Sequence, residues 1–216
     1  MDRKERASKV LDILEKEFPD AAIALIFKNP LELLVSTILS AQATDKLVNK
    51  VTESLFKKYK SAADYANVGI EELERDLSSV NFYRNKAKSV KGAAAKIVAE
   101  FGGRVPDTLE ELTALPGVGR KTANVVLGNA FGKCALAVDT HVKRVAKRLG
   151  LTSSDDPDKI EEDLSAVIPP KRWTQTTHLL IQHGRKTCKA LKPDCGHCPV
   201  QAYCAYYRDE FLKKRK

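Results

Sequence analysis

Four of the five cysteines in this chain, Cys188, Cys195, Cys198 and Cys204, stand in the pattern C-x6-C-x2-C-x5-C. Four thiolates in so short a span form a ligand set rather than scattered core residues. The amino terminus, Met1 to Arg6, is charged and no apolar run follows it, so neither a signal peptide nor a membrane span is expected. In the cytoplasm that this implies, disulfides are disfavoured, which leaves metal. Structural zinc sites pair two tight C-x2–4-C knuckles. Here only one C-x2-C occurs, between longer loops, which favours a cubane 4Fe–4S cluster, with zinc as the alternative. The loop between the first two ligands carries Lys189 and Lys192, which a metal site anchoring both ends would hold outward, as phosphate contacts require. Cys134 lies apart in a mostly apolar context and is expected to be a buried structural thiol.

A second chemistry resides in Leu115-Pro116-Gly117-Val118-Gly119-Arg120-Lys121. Two glycines around one apolar residue make a tight hairpin, where the backbone can take positive φ and approach a partner closely. The helix expected beyond it points its free amides and positive dipole end outward, an anion site made by Gly117, Val118 and Gly119. The alternative is a plain helix–helix turn. Lys121 lies just inside that helix, where the helix-end potential and Arg120 oppose its charged form. A neutral lysine can attack an electrophilic sugar carbon and form a Schiff base; a charged one would bind phosphate. Asp139 follows the apolar run Ala135-Leu136-Ala137-Val138 and precedes Thr140-His141. It suits either a helix cap or a carboxylate stabilising positive charge on a sugar beside a labile glycosidic bond. His141 is read as a neighbouring polar contact.

Charge points to the same class of partner. Lys and Arg number 37 against 28 acidic residues, a net charge of +9, and an excess of this size suits a polyanion. Between Asp163 and Asp194 there is no acidic residue, but Lys171, Arg172, Arg185, Lys186, Lys189 and Lys192 are present. Lys143, Arg144, Lys147 and Arg148 form a second basic group, while acids gather at Asp155, Asp156, Asp158, Glu161, Glu162 and Asp163. This segregation predicts a nucleic-acid face and an acidic far side. The end Lys213-Lys214-Arg215-Lys216 is read as solvated.

The elements that must position these residues are helices. Apolar stripes at helical spacing occur at Val10, Leu11, Leu14 and Phe18, at Leu47 to Phe56 behind a capping Thr44, and at Val90 to Phe101 before Gly102-Gly103. Leu33 to Leu39 is apolar almost all round and predicts a central buried helix. Thr108 and Glu111 have capping-box spacing before a short helix. Further helices are expected at Ile70–Val80, Arg120–Phe131, Thr140–Leu149, Pro157–Ile168 and Trp173–Gly184, with Ala135 to Val138 the one strand-like piece. The expected fold is all-α. No repeat, low-complexity segment or Gly/Ser linker interrupts a chain of 216 residues.

Taken together, Leu115 to Asn124, Ala137-Val138-Asp139-Thr140-His141-Val142, the cysteine spacing, and Leu39-Ser40-Ala41-Gln42-Ala43-Thr44-Asp45 resemble the endonuclease III family of DNA glycosylases, with its helix–hairpin–helix, Gly/Pro-Asp and iron–sulfur motifs. The resemblance implies a six-helix barrel over residues 22–134, with the helix–hairpin–helix at about 108–130. It also implies an iron–sulfur domain of residues 1–21 plus 135–216, with the cluster loop at 188–204 and DNA lying in the cleft between the domains. It gives Lys121 the nucleophile's position, Asp139 the catalytic carboxylate's, and Cys188, Cys195, Cys198 and Cys204 the cluster. Gln42 matches the residue that enters the space left by an extruded nucleotide. Asn81 to Lys86 matches the loop that wedges into the base stack; Phe82 stands where some relatives have leucine, and a core position for Phe82 or Tyr83 is the alternative. The implied activity is a monomeric bifunctional glycosylase and apurinic/apyrimidinic lyase, acting on oxidised pyrimidines in double-stranded DNA near the nucleoid. Two rivals remain. A monofunctional mismatch glycosylase shares scaffold and cluster, but such relatives lack this lysine and usually carry an extra C-terminal domain. A non-catalytic iron–sulfur DNA-binding protein needs neither Lys121 nor Asp139.

Overall fold

The computed structural model describes residues 1–213; Lys214, Arg215 and Lys216, most of the basic end read as solvated, lie outside the described residues. The fold is all-α, with no strand among the described residues. The chain opens with α1 (Arg3–Glu17), capped by the Asp2 carboxylate, which accepts from the Glu5 amide. Its continuation, Ile23–Lys133, forms one compact unit; Met1–Ala22 and Cys134–Lys216 form the other.

The Ile23–Lys133 unit is assembled around α2 (Pro30–Leu39), whose residues Leu33 to Leu39 are all buried. Asn29 caps it and Pro30 occupies the first turn, where its missing N–H costs nothing. Around it lie α3 (Asp45–Lys58), α4 (Ala62–Asn67), α5 (Ile70–Asp76), α6 (Tyr83–Phe101), α7 (Leu109–Thr113) and α8 (Arg120–Ala130). Thr44 caps α3 and Thr108 caps α7, as their spacing predicts. Burying each leucine of such a core contributes about 1.5–3 kcal/mol.

Two local expectations change here. The helix expected over Ile70–Val80 ends at Asp76, and Leu77 to Val80 continue as turns. The short helix α4 lacked an apolar stripe long enough to see. Its signal was a capping box, with Ser61 and Asp64 each bonding the other's backbone amide.

The other unit packs α1 with α9 (Thr140–Leu149), α10 (Pro157–Val167) and α11 (Trp173–Lys186) around one apolar cluster that includes Leu14, Val142, Val145, Leu164 and Leu180. Ala135 to Val138 is buried but pairs with no strand. Side chains of α11 satisfy its backbone instead. Thr177 Oγ1 takes the Ala137 amide at 3.1 Å, and Thr174 Oγ1 donates to the Ala135 carbonyl at 3.0 Å. A buried extended segment needs such partners when no ladder supplies them.

Candidate functional site

In the Ile23–Lys133 unit the hairpin between α7 and α8 is held from below by α6. Gly117 sits at φ 75°, and a Cβ there would lie 2.5 Å from the Ser89 Cβ. At Gly92, a Cβ would meet the Pro116 ring at 3.2 Å. Val118 is buried and its amide bonds the Leu115 carbonyl at 3.1 Å, so its side chain anchors the hairpin from inside. Gly119 begins α8 without any side-chain cap, unlike α2, α3 and α7. The first turn of α8 therefore presents backbone amides outward, and Lys121 in that turn is exposed. We expect Gly117→Ala to destabilise the protein by about 2–4 kcal/mol in urea unfolding, since left-handed backbone strain and overpacking add.

In the same unit, Gln42 and Phe82 both take left-handed backbone, with φ of 53° and 56°. Phe82 is 61% exposed, so it is not a core residue, whereas Tyr83 is half-buried with the Arg84 guanidinium over its ring.

The second unit carries Asp139 and the cysteines. Asp139 is the N-cap of α9, with its Oδ1 accepting from the Val142 amide at 2.7 Å. The cap uses one carboxylate oxygen of a half-buried side chain. Nearby, His141 Nδ1 lies 3.2 Å from the Arg144 guanidinium. Burial lowers the His141 imidazole below its usual range; Asp139 opposes this, and Arg144 and Arg185 reinforce it.

All four clustered cysteines are free thiols lining one chamber against His183 and Val200. Burial pushes the Cys198 thiol up to about 11, its bond from the Val200 backbone opposes this, and the other three cysteines add to the rise. Such thiols ionise when a metal compensates their charge. Four thiols lining one chamber suit a cubane, in which each cysteine binds a different iron.

The end of α9 holds this segment. Arg148 donates to Cys188 Sγ at 3.4 Å, to the Lys189 carbonyl at 2.7 Å and to the Ala190 carbonyl at 3.1 Å. Arg144 donates to the Cys188 carbonyl at 3.1 Å and the Gly184 carbonyl at 3.0 Å. These two arginines were read from the sequence as part of a nucleic-acid face; in the structure both bond the backbone at Gly184 and Cys188 to Ala190. Lys143 and Lys147 likewise pair with Asp155, at 3.2 and 2.7 Å. Arg172 pairs with Asp12 and Glu15 at 2.9 and 2.8 Å. Charges segregated along the chain are thus interleaved in space. Lys189 and Lys192 are exposed, with Lys192 at φ 52°. Cys134 is exposed as well, against the expectation of a buried thiol. Its neighbours Gly132 and Lys133 are also exposed, and the apolar burial begins only at Ala135.

Residues 35–170 match the model of the HhH-GPD superfamily of base excision DNA repair proteins. Residues 188–204 match the iron–sulfur binding domain of endonuclease III. The chain is 51% identical to Endonuclease III of Synechocystis sp. over 94% of its own length and 93% of that protein. It belongs to the endonuclease III family. Two solved structures, a non-covalent endonuclease III–DNA complex and a trapped endonuclease III–DNA covalent intermediate, each match with a TM-score of 0.92 and 46% identity, covering 100% of both chains. As in that family, the cofactor is a 4Fe–4S cluster, which the cysteine donor set fits. The protein should purify yellow-brown with about four irons per chain. Cys134→Ser should leave that iron content unchanged, because Cys134 lines no part of the chamber. Colourless protein holding one zinc would refute the cluster.

Proposed function

We propose that this chain acts as a monomer on chromosomal DNA, excising damaged bases, chiefly oxidised pyrimidines, and then cutting the strand 3′ to the site. The observation that carries the reading is the exposed Lys121 amine in the uncapped first turn of α8, in a chain alike end to end to an endonuclease III caught covalently on DNA. The amides of that turn and the hairpin bind phosphate. A weakly stacked damaged base is extruded at a cost of a few kcal/mol. Lys121 Nζ then donates its lone pair to C1′, the glycosidic bond breaks, and the base leaves with the bonding pair. The Asp139 carboxylate stabilises the positive charge developing on the sugar. The nitrogen then gives up a proton, and its lone pair forms the C1′=N bond as the C1′–O4′ bond breaks. O4′ takes a proton, opening the ring to an imine. Loss of a proton from C2′ then expels the 3′ phosphate with the bonding pair and cuts the strand. Gln42 fills the vacated space while Phe82 wedges the stack. Cys188, Cys195, Cys198 and Cys204 are the cluster ligands; when bound, the cluster serves as a structural anchor for the 188–204 segment and supplies no step of this chemistry.

The test is incubation with a duplex carrying one oxidised pyrimidine and with another carrying one abasic site, each with and without borohydride. Base release and strand cleavage are expected, with a covalent adduct when borohydride is present. A monofunctional glycosylase would release the base without cutting or trapping, and a non-catalytic binder would do neither.

The loop lysines make a separate prediction. Lys189→Gln with Lys192→Gln should weaken binding equally for damaged and undamaged duplexes. The slope of log affinity against log salt should shrink by about 0.9 per lysine. Iron content should not change. An unchanged salt slope would leave the loop with no role in DNA binding.

A further inference from the structure

The two turns that bear Gln42 and Phe82 are tied together. Asn81 Nδ2 donates to the Gln42 carbonyl at 3.1 Å. Lys86 Nζ donates to the Ala41 carbonyl at 2.6 Å. Lys86 lies in the first turn of α6 and is only 5% exposed, and burial alone lowers it below the usual lysine range. A buried ammonium facing a neutral carbonyl is an expensive way to fill space, because desolvating the charge costs more than one such bond returns. The backbone adds strain at both tied positions. Of three non-glycine residues with positive φ among the described residues, two are Gln42 and Phe82. A left-handed residue with a side chain costs about 1–2 kcal/mol. Phe82 starts α6 with no side-chain cap, while its own ring stands 61% exposed. Strain and a buried charge that together fix two exposed side chains are the marks of a positioned working surface rather than of a stabilised core.

We propose that Asn81 and Lys86 are positioning residues that lock the Gln42 and Phe82 turns into one rigid wedge, so that both side chains enter the DNA in a single motion. This rests on the reading of the chain as a base-extruding glycosylase. Neither residue touches the reacting atoms. Asn81 fixes the backbone of the Gln42 turn from the residue next to Phe82. Lys86 fixes the preceding peptide from below, one helical turn after Phe82, whose carbonyl accepts the Lys86 amide at 3.1 Å. Independent turns would have to be ordered separately on the DNA, each with its own entropic cost. Prelocked turns avoid that.

The test compares wild type with Asn81→Ala, Lys86→Met, Phe82→Ala and the Asn81→Ala/Phe82→Ala pair. Iron content and thermal midpoint are followed alongside. Unstacking is read from the fluorescence of 2-aminopurine placed beside a damaged base, and chemistry from single-turnover excision. Asn81→Ala should lose most of the fluorescence gain and slow excision on the order of tenfold to a hundredfold. Borohydride trapping on a single-stranded abasic oligonucleotide, which needs no unstacking, should stay at the wild-type rate. The losses in the double variant should be less than additive, since the part of Asn81's effect that depends on joining the Gln42 turn to the Phe82 ring is gone once the ring is removed. Should Lys86→Met fail to fold, the surface residue Asn81 still decides the matter. Wild-type fluorescence gain in Asn81→Ala, or additive losses in the double variant, overturns the inference while leaving the glycosylase reading intact. A wild-type protein that traps no abasic DNA would remove that reading itself and the inference with it.

Discussion

Lys121→Ala is expected to reduce borohydride trapping and strand cleavage at an abasic site to background. The side chain is exposed in the first turn of an eleven-residue helix, and alanine is the best helix former, so neither core nor helix is lost. DNA affinity should fall only by the share of one positive charge, while the amides of the uncapped turn remain to hold phosphate. The contrast between retained binding and lost chemistry is what a nucleophile predicts and a phosphate-binding lysine does not. The latter would lose affinity and still trap. Lys121→Gln, which also removes the charge, should behave as the alanine variant does. Trapping at the wild-type rate in either variant would move the nucleophile to another amine.

Asp139 must be tested so that its two roles separate. As N-cap of α9 it bonds the Val142 amide at 2.7 Å, and asparagine caps a helix about as well as aspartate. Asp139→Asn should therefore change the unfolding midpoint little while base excision falls by about a hundredfold to a thousandfold, the usual cost of losing a charge-stabilising group. Asp139→Ala should show the same loss of excision plus about 1 kcal/mol of destabilisation from the missing cap. An Asn variant that excises at the wild-type rate, beside an Ala variant that is merely less stable, would make Asp139 a cap and nothing more.

Much of this could be read from the chain because the signals are local. The 3.6-residue periodicity predicted α9 over Thr140–Leu149 without adjustment. Thr44, Thr108 and Asp139 could be placed at helix starts because a cap reaches only three residues along the chain. Gly117 marked its turn because only glycine takes positive φ freely, and four cysteines within seventeen residues announced metal. Where a side chain's partner lies far along the chain, sequence was silent or misleading. Arg144 and Arg148 read as a nucleic-acid face, yet their partners Cys188, Lys189 and Ala190 lie 40 to 44 residues away. Lys143 and Lys147 belonged to the same basic group until the turn after α9 brought Asp155 against them. Phe82 could equally have been core or surface, and only the packing of α6 left its ring exposed with Asn81 and Lys86 bonded to the neighbouring turn. Helix periods, caps and turns are decided by steric and hydrogen-bonding terms within about one helical turn. The ion pairs and long-range bonds that give a charged side chain its task depend on how whole helices lie against one another, and that is settled only when the apolar faces have packed.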